Sequence, residues 1–241
     1  MTGIEAAFWG VISGLPLVVG AWVALKFKLP TKLIGMIMGF GAGALIGAIA
    51  YELIPDSSTQ DLYTFLAFGL GAIVFYLAVS LINRRAARTK PKNASKDTES
   101  GISIALGSLL DGIPESLVLG ITLATGGAVS VSFLGAVFIS NIPEGLSATS
   151  DLAKSGEPHR KIYLTWLGIL LAIVLFTVLG YMLVLYLPSV DGRIAKAFAA
   201  GAVLAMLSDS MIPEGFAEGG RPTGLLVVLG FAVAAVLALI G

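Results

Sequence analysis

The residues best suited to chemistry in this chain are carboxylates that stand beside prolines within long apolar stretches. Four segments share the pattern: Glu52-Leu-Ile-Pro-Asp56, Asp111-Gly-Ile-Pro-Glu115, Ser140-Asn-Ile-Pro-Glu144 and Ser210-Met-Ile-Pro-Glu214. Within a helix, proline removes one backbone donor and displaces the carbonyl group four residues earlier. A freed carbonyl oxygen beside a carboxylate supplies the oxygen ligands that hard cations prefer. The repeated pattern therefore indicates a protein that handles cations.

The composition places most of the chain in a lipid bilayer. Of the 241 residues, 56% are hydrophobic and only 12% are charged, and the mean hydropathy is +0.93. An apolar stretch of about 17–25 residues is long enough to cross a membrane as a helix. Eight such stretches occur, near residues 5–25, 33–54, 61–82, 101–124, 128–150, 162–187, 194–217 and 223–240. We therefore predict an all-α, polytopic membrane protein with eight transmembrane helices.

The basic residues are distributed unevenly between the predicted loops. When the loops alternate across the membrane, every Lys and Arg except Arg193 and Lys196 falls on one side. The positive-inside rule assigns that side to the cytoplasm, so we expect a cell-membrane protein with both termini outside. This topology divides the chain into a first three-helix bundle (1–82), a basic cytoplasmic linker (83–100), a central helix pair (101–150) and a last three-helix bundle (151–241).

The four proline motifs are related in pairs by an inversion. The motif of the second span lies near the outer end and that of the seventh span near the inner end, while the fourth and fifth spans run in opposite directions with their motifs near the middle. Interrupted helices in corresponding positions of two halves are typical of secondary transporters with inverted repeats. We therefore predict a 3+2+3 inverted-repeat arrangement with a binding site near the membrane midplane.

Helical spacing brings the polar residues of the two central motifs onto shared faces. Asp111 and Glu115 are four residues apart, and Asn141 and Glu144 are three apart. Each charged residue at the bilayer centre costs about 2.5–3.5 kcal/mol on insertion scales. Neither span contains Lys or Arg to neutralise the acids, so a divalent cation or protonation must balance them. We predict a metal site formed by Asp111, Glu115, Asn141 and Glu144.

The remaining motif residues are predicted to lie along the path of the ion. The topology places Glu52 and Asp56 near the outer mouth of the pathway, and Ser210 and Glu214 near the inner mouth. The Ser140 hydroxyl lies one helical turn before Glu144. These predicted pathway residues are Glu52 and Asp56, Ser210 and Glu214, and Ser140.

At these motifs the chain resembles the ZIP family of divalent metal transporters. The segment Ser140-Asn-Ile-Pro-Glu-Gly145 is similar to the family motif His-Asn-x-Pro-Glu-Gly, with Asn141 and Glu144 at ligand positions. The likeness covers nearly the whole chain, including the glycine-rich second span from Gly39 to Gly47. It implies a secondary transporter or facilitator that carries divalent metal ions toward the cytoplasm. It also implies a homodimer in the lipid bilayer, with the metal as transported substrate.

The chain departs from the family pattern at three positions. Asp111 stands where His is usual, Gly112 where Asn is usual, and Ser140 where His or Gln is common. The chain has no cysteine, and its one histidine, His159, falls in a predicted inner loop. The predicted site is therefore built from oxygen ligands alone, which favours Mn²⁺, Mg²⁺ or Fe²⁺ more than an imidazole-rich site does. The missing Asn and His also favour one bound ion over two.

Two other functions compete with metal transport. A proton-coupled carrier or exporter of a non-metal solute could use the same scaffold. An intramembrane hydrolase would pair Asp111 with a second carboxylate or a bound metal, but neither a Gly-x-Gly-Asp nor a His-Glu-x-x-His motif is present. The chain also lacks the Gly-x-x-x-x-Gly-Lys-Ser/Thr motif that binds ATP. We therefore expect no enzymatic activity, no resident cofactor and no nucleic-acid partner, with ion gradients driving transport.

Overall fold

The protein is built from long helices that run through almost all of the chain. This computed structural model describes residues 2–54, 62–88, 96–125, 131–186 and 192–240, and no strand occurs in these ranges. Two of the helices continue into a π-helical turn. The elements are α1 (Gly3–Lys26), α2 (Thr31–Ala48) with its π-helical turn (Ile49–Leu53), α3 (Leu62–Arg88), α4 (Lys96–Ala124), α5 (Val131–Lys154), α6 (His159–Tyr186), α7 (Gly192–Met206) with its π-helical turn (Leu207–Met211), α8 (Ile212–Gly219) and α9 (Pro222–Ile240).

The helix lengths agree with a multi-pass membrane protein. In the described residues, seven segments are long and apolar enough to cross a membrane, counting α2 with its π-helical turn as one and α7 through α8 as another. Helix α5 is not among the seven, but it has 24 residues, the same length as α1. The prediction of an all-α polytopic membrane protein is therefore confirmed.

The four proline motifs differ in their effect on the backbone. The two π-helical turns end two residues before the motif prolines Pro55 and Pro213. In the second of them, the Ile212 N–H donates to the Leu207 carbonyl five residues earlier. By contrast, α4 and α5 continue as regular helices through Pro114 and Pro143, where we predicted interruptions. Neighbouring helices can stabilise a transmembrane helix that contains proline, so the residue alone does not decide whether the helix breaks.

Helical structure extends into both ends of the predicted linker 83–100, which lies between the membrane-spanning parts of α3 and α4. Helix α3 extends to Arg88 and α4 begins at Lys96, while residues 89–95 lie outside the described ranges. Arg and Ala, which fill positions 84–88, have high intrinsic helix propensity and allow α3 to continue beyond its apolar part. Residues 126–130, where the fifth predicted span begins, also lie outside the described ranges.

The helices pack in four close pairs, and each pair is joined by two reciprocal glycine contacts. At every contact the glycine faces a backbone carbonyl of its partner helix so closely that a Cβ atom would collide with it. Small residues of this kind let transmembrane helices approach backbone to backbone. The pairs are α1 with α5 (Gly20, Gly145), α4 with α6 (Gly120, Gly180), α2 with α9 (Gly43, Gly230) and α3 with α7 (Gly71, Gly201).

Packing in space does not follow the division along the sequence. Helix α1 packs against α4, α5 and α6, while α2 packs against α5, α8 and α9, and α3 packs against α7. The first three helices therefore contact later helices far more than they contact one another. Helix α4 also packs against α5 and α7, and the Ser147 side chain of α5 contacts Glu214 of α8.

Candidate cation site

A polar cavity of about 190 Å³ lies between α4, α5 and the segment that joins α7 to α8. Four carboxylate residues and two serines line it, and no lining residue is basic. Four of these six are residues that the sequence motifs identified, so the fold brings three separate proline motifs to one place. The polar lining residues are Ser108, Asp111, Glu144, Asp151, Ser210 and Glu214.

Asp111 is bonded across the cavity to the π-helical turn. The Ser210 hydroxyl lies 3.0 Å from Oδ1 of Asp111 and 3.0 Å from the carbonyl oxygen of Met206. A hydroxyl has one hydrogen, so Ser210 donates to either acceptor in turn. This contact connects α4 to the π-helical turn, and it holds one oxygen of Asp111 at the edge of the cavity.

Glu144 and Glu115 each carry a buried carboxylate oxygen. Ser108 and Glu144 line the cavity together. Within the described part of the chain, Oε1 of Glu144 and Oε1 of Glu115 are buried without a hydrogen-bond partner. Glu115 is only 4% exposed and lies one helical turn beyond Asp111. Buried carboxylate oxygens that lack donors are costly unless a cation or proton binds them.

Asn141 and Ser140 are both buried in helix contacts of α5. The Asn141 side-chain amide donates to the Ser13 carbonyl of α1 at 2.9 Å, which leaves its amide oxygen as the atom able to bind a cation. The Ser140 hydroxyl donates to the Val137 carbonyl at 2.9 Å, and Gly41 of α2 packs against its backbone. Neither residue lines the cavity. Their roles as ligand and pathway residue remain predictions.

A second group of carboxylates extends from the cavity along α8. The Ser147 hydroxyl of α5 lies 2.8 Å from Oε1 of Glu214 and 2.9 Å from Oε1 of Glu218. Because one hydroxyl hydrogen can serve only one acceptor, both contacts are satisfied together only when one carboxyl group carries a proton and donates to Ser147. The sequence motifs did not identify Ser147 or Glu218, although Glu218 follows Glu214 by four residues on one helix face.

The outer motif lies apart from this cavity. Glu52 is half-buried in the π-helical turn that ends α2, and Asp56 lies outside the described residues. Among the residues that the structure describes, no three Asp, Glu or His side chains converge into a ready metal site. Asp111, Glu144, Asp151 and Glu214 therefore share one cavity without ligand geometry, and Glu115 does not line it. A cation that binds there would draw the lining carboxylates together.

Comparison with models of known protein families and with curated proteins gives no match for this chain. The likeness to the ZIP motif accordingly remains a hypothesis that depends on the residues themselves.

Proposed function

We propose that this protein is a secondary transporter or facilitator of divalent metal cations and an atypical member of the ZIP family. The observation that carries the proposal is the polar cavity, where carboxylates from α4, α5 and α8 meet in an otherwise apolar transmembrane structure. No basic residue lines the cavity; Lys154 pairs with Asp151 at 2.7 Å, which leaves Asp111, Glu144 and Glu214 to be balanced. A divalent cation balances two carboxylates at once, whereas an uncompensated pair of charges is expensive within a membrane.

The donor set favours hard or borderline cations as the substrate. Asp111, Glu144 and Glu214 offer carboxylate oxygens, and Ser108 and Ser210 offer hydroxyl oxygens. Oxygen ligands suit Mn²⁺, Mg²⁺ and Fe²⁺, while imidazole and thiolate ligands suit the later transition metals. The proposed substrate is therefore Mn²⁺, Fe²⁺ or Mg²⁺ in preference to Zn²⁺.

The glycine contacts support the inverted-repeat arrangement of this proposal. The predicted inversion relates four helices to four others: α1 to α6, α2 to α7, α3 to α9 and α4 to α5. It therefore converts the α1/α5 pair into the α6/α4 pair. It likewise converts the α2/α9 pair into the α7/α3 pair. Each of these four pairs carries the same reciprocal glycine contacts. The two π-helical turns also end helices that the inversion relates, α2 and α7. Repeated halves of this kind are typical of secondary transporters with a central site.

The proposed direction of transport is toward the cytoplasm, with both termini outside and the protein assembled as a homodimer. In this orientation α5 and α8 end on the cytoplasmic side. Asp151, Glu214 and Glu218 then continue the line of carboxylates from the cavity toward that side. An ion that leaves Asp111 and Glu144 would meet further oxygen ligands along this route.

A proton-coupled carrier or exporter of a non-metal solute is the second candidate. It is favoured by Ser147, whose two carboxylate contacts are satisfied together when one carboxyl group carries a proton. Such a carrier would use the same carboxylates to bind protons, and its solute would not be a metal ion.

Uptake into proteoliposomes with controlled orientation tests the proposal across Mn²⁺, Fe²⁺, Mg²⁺ and Zn²⁺. The Glu144→Gln variant keeps the side-chain shape and removes one cavity charge. The matched control is Glu157→Gln, because Glu157 pairs with Lys161 at 2.6 Å and does not line the cavity. We expect metal uptake by the native protein and by the control, and none by Glu144→Gln. Unchanged uptake by Glu144→Gln would refute the site, and proton flux without metal flux would favour the second candidate.

A further inference from the structure

A second, larger cavity in this protein is apolar throughout. It has a volume of about 460 Å³ and lies between the α3/α7 pair and the α4/α6 pair. Its lining residues are all Ala, Gly, Val, Leu, Ile, Phe or Pro, and its surface exposes no polar atom. A buried water needs two to four polar partners, so this cavity is unsuited to water.

The walls of the apolar cavity are held apart by the helix pairs themselves. In the α3/α7 pair, Gly71 packs on the carbonyl of Phe198, and in the α4/α6 pair, Gly180 packs on the carbonyl of Leu117. All four of these residues also line the cavity. Because each pair is already in backbone contact, its two helices cannot rearrange locally to fill the space between the pairs.

The cavity is deep and reaches the lipid-facing side of α3. Pro114 and Ile121 of α4 and Ala202 of α7 are buried at its inner wall. Val74 and Ala78 of α3 line it as well, yet both are exposed, and Val74 has 44% of its surface accessible. Helix α3 is apolar enough to cross the membrane. In a single protomer, the side of the cavity formed by α3 therefore faces the hydrocarbon interior of the bilayer.

We propose that the apolar cavity binds one hydrocarbon chain of a membrane lipid. An acyl chain is flexible, apolar and abundant at the depth of α3, so it can enter from the side and bury its methylene groups against four helices. The bound chain contacts Ile113 and Leu117 of α4. These residues lie on the face of α4 opposite Asp111 and Glu115, so the lipid supports the helix that carries the candidate cation ligands. The lipid site does not depend on the proposed transport activity.

Photocrosslinking with a lipid that carries a diazirine near the end of its acyl chain tests this site. The purified protein is reconstituted in vesicles of that phosphatidylcholine, irradiated, digested and mapped by mass spectrometry. We expect several-fold more labelling at Leu117 and Ile121 of α4 than on the exposed face of α9 around Val228 and Val236. Ala78→Phe places a ring at the lipid-facing side and should reduce the labelling of α4 several-fold. Ala232→Phe, on the exposed face of α9, is the matched control and should leave that labelling unchanged.

Three results would overturn the lipid site. Equal labelling of α4 and α9 would mean ordinary contact with bulk lipid. Unchanged labelling in both Ala78→Phe and Val74→Trp would mean that no chain enters by this side, and the second variant serves if the first fails to fold. Because the chain has no native cysteine, a Leu117→Cys variant carries a single thiol. Its rapid reaction with a membrane-impermeant thiol reagent would show that the cavity holds water.

Discussion

The hydroxyl of Ser210 donates a hydrogen bond to Oδ1 of Asp111 at 3.0 Å, although 99 residues separate them along the chain. The contact joins the π-helical turn after α7 to the middle of α4. Both residues belong to proline motifs, and both line the polar cavity. The contact fixes the position of one carboxylate oxygen of Asp111 at the cavity.

We expect Ser210→Ala to weaken metal binding several-fold, because the variant loses both the contact that positions Asp111 and a hydroxyl oxygen that lines the cavity. The matched control is Ser208→Ala. The Ser208 hydroxyl donates only within its own helix, to the Leu204 carbonyl at 2.9 Å. Equilibrium binding of Mn²⁺ to both purified variants measures the difference. An equal loss of affinity in the two variants would contradict the role of the Asp111 contact.

Glu214→Gln should slow transport more than it weakens binding. Glu214 is exposed at the cavity edge and contacts Ser147, so we place it on the route of the ion rather than at its tightest site. Glu115→Gln should show the reverse pattern, because Glu115 is buried and its Oε1 lacks a hydrogen-bond partner among the described residues. Initial uptake rates and equilibrium binding are measured for both variants. Loss of equilibrium binding in Glu214→Gln, with an unchanged rate, would show that the assignment is wrong.

Metal affinity should fall as the pH is lowered from about 7 to about 5. Carboxylates must lose their protons to bind a metal ion, so protons compete with the ion and win more often in acid. Asp111, Glu144 and Glu214 face the cavity together, and their mutual repulsion is relieved by either ligand. Titration of Mn²⁺ affinity against pH measures this competition. Affinity that stays constant across this range would exclude the proton linkage.

The site should show only weak preference for Zn²⁺ over Mn²⁺. The one histidine of the chain, His159, is exposed at the start of α6, and the polar cavity has oxygen ligands alone. Competition binding at constant pH measures the ratio of the two affinities. Asp111→His introduces imidazole and should raise the ratio in favour of Zn²⁺. A native site that holds Zn²⁺ more than about a thousandfold tighter than Mn²⁺ would refute the argument, since only ligand type supports it.

Much of the candidate site could be predicted because its residues carry a local pattern. Asp111, Glu144, Ser210 and Glu214 each belong to a proline motif, and all four line the same cavity. Ser108, Ser147 and Glu218 have no such pattern. They belong to the site because of contacts between distant parts of the chain. Ser147 and Glu218, for example, are 71 residues apart, so no local spacing predicts their contact. The apolar cavity could not be predicted from the sequence either, because its lining residues are of the same types as the residues of any lipid-facing helix.

The sequence by itself determined that this is an all-α membrane protein with acids beside prolines, because hydrophobic length and composition decide what can enter a bilayer. Only the tertiary structure decided which of those acids meet. Helices α4 and α5 run straight through Pro114 and Pro143, while the segment before Pro213 widens into a π-helical turn. A π-helical turn has more residues per turn than an α-helix, so the side chains that follow it point in a different direction around the helix axis. The directions of Ser210 and Glu214 therefore could not be predicted from their spacing in the sequence. The contacts of Asp111 with Ser210 and of Ser147 with Glu214 then hold the carboxylates of α4, α5 and α8 around one cavity.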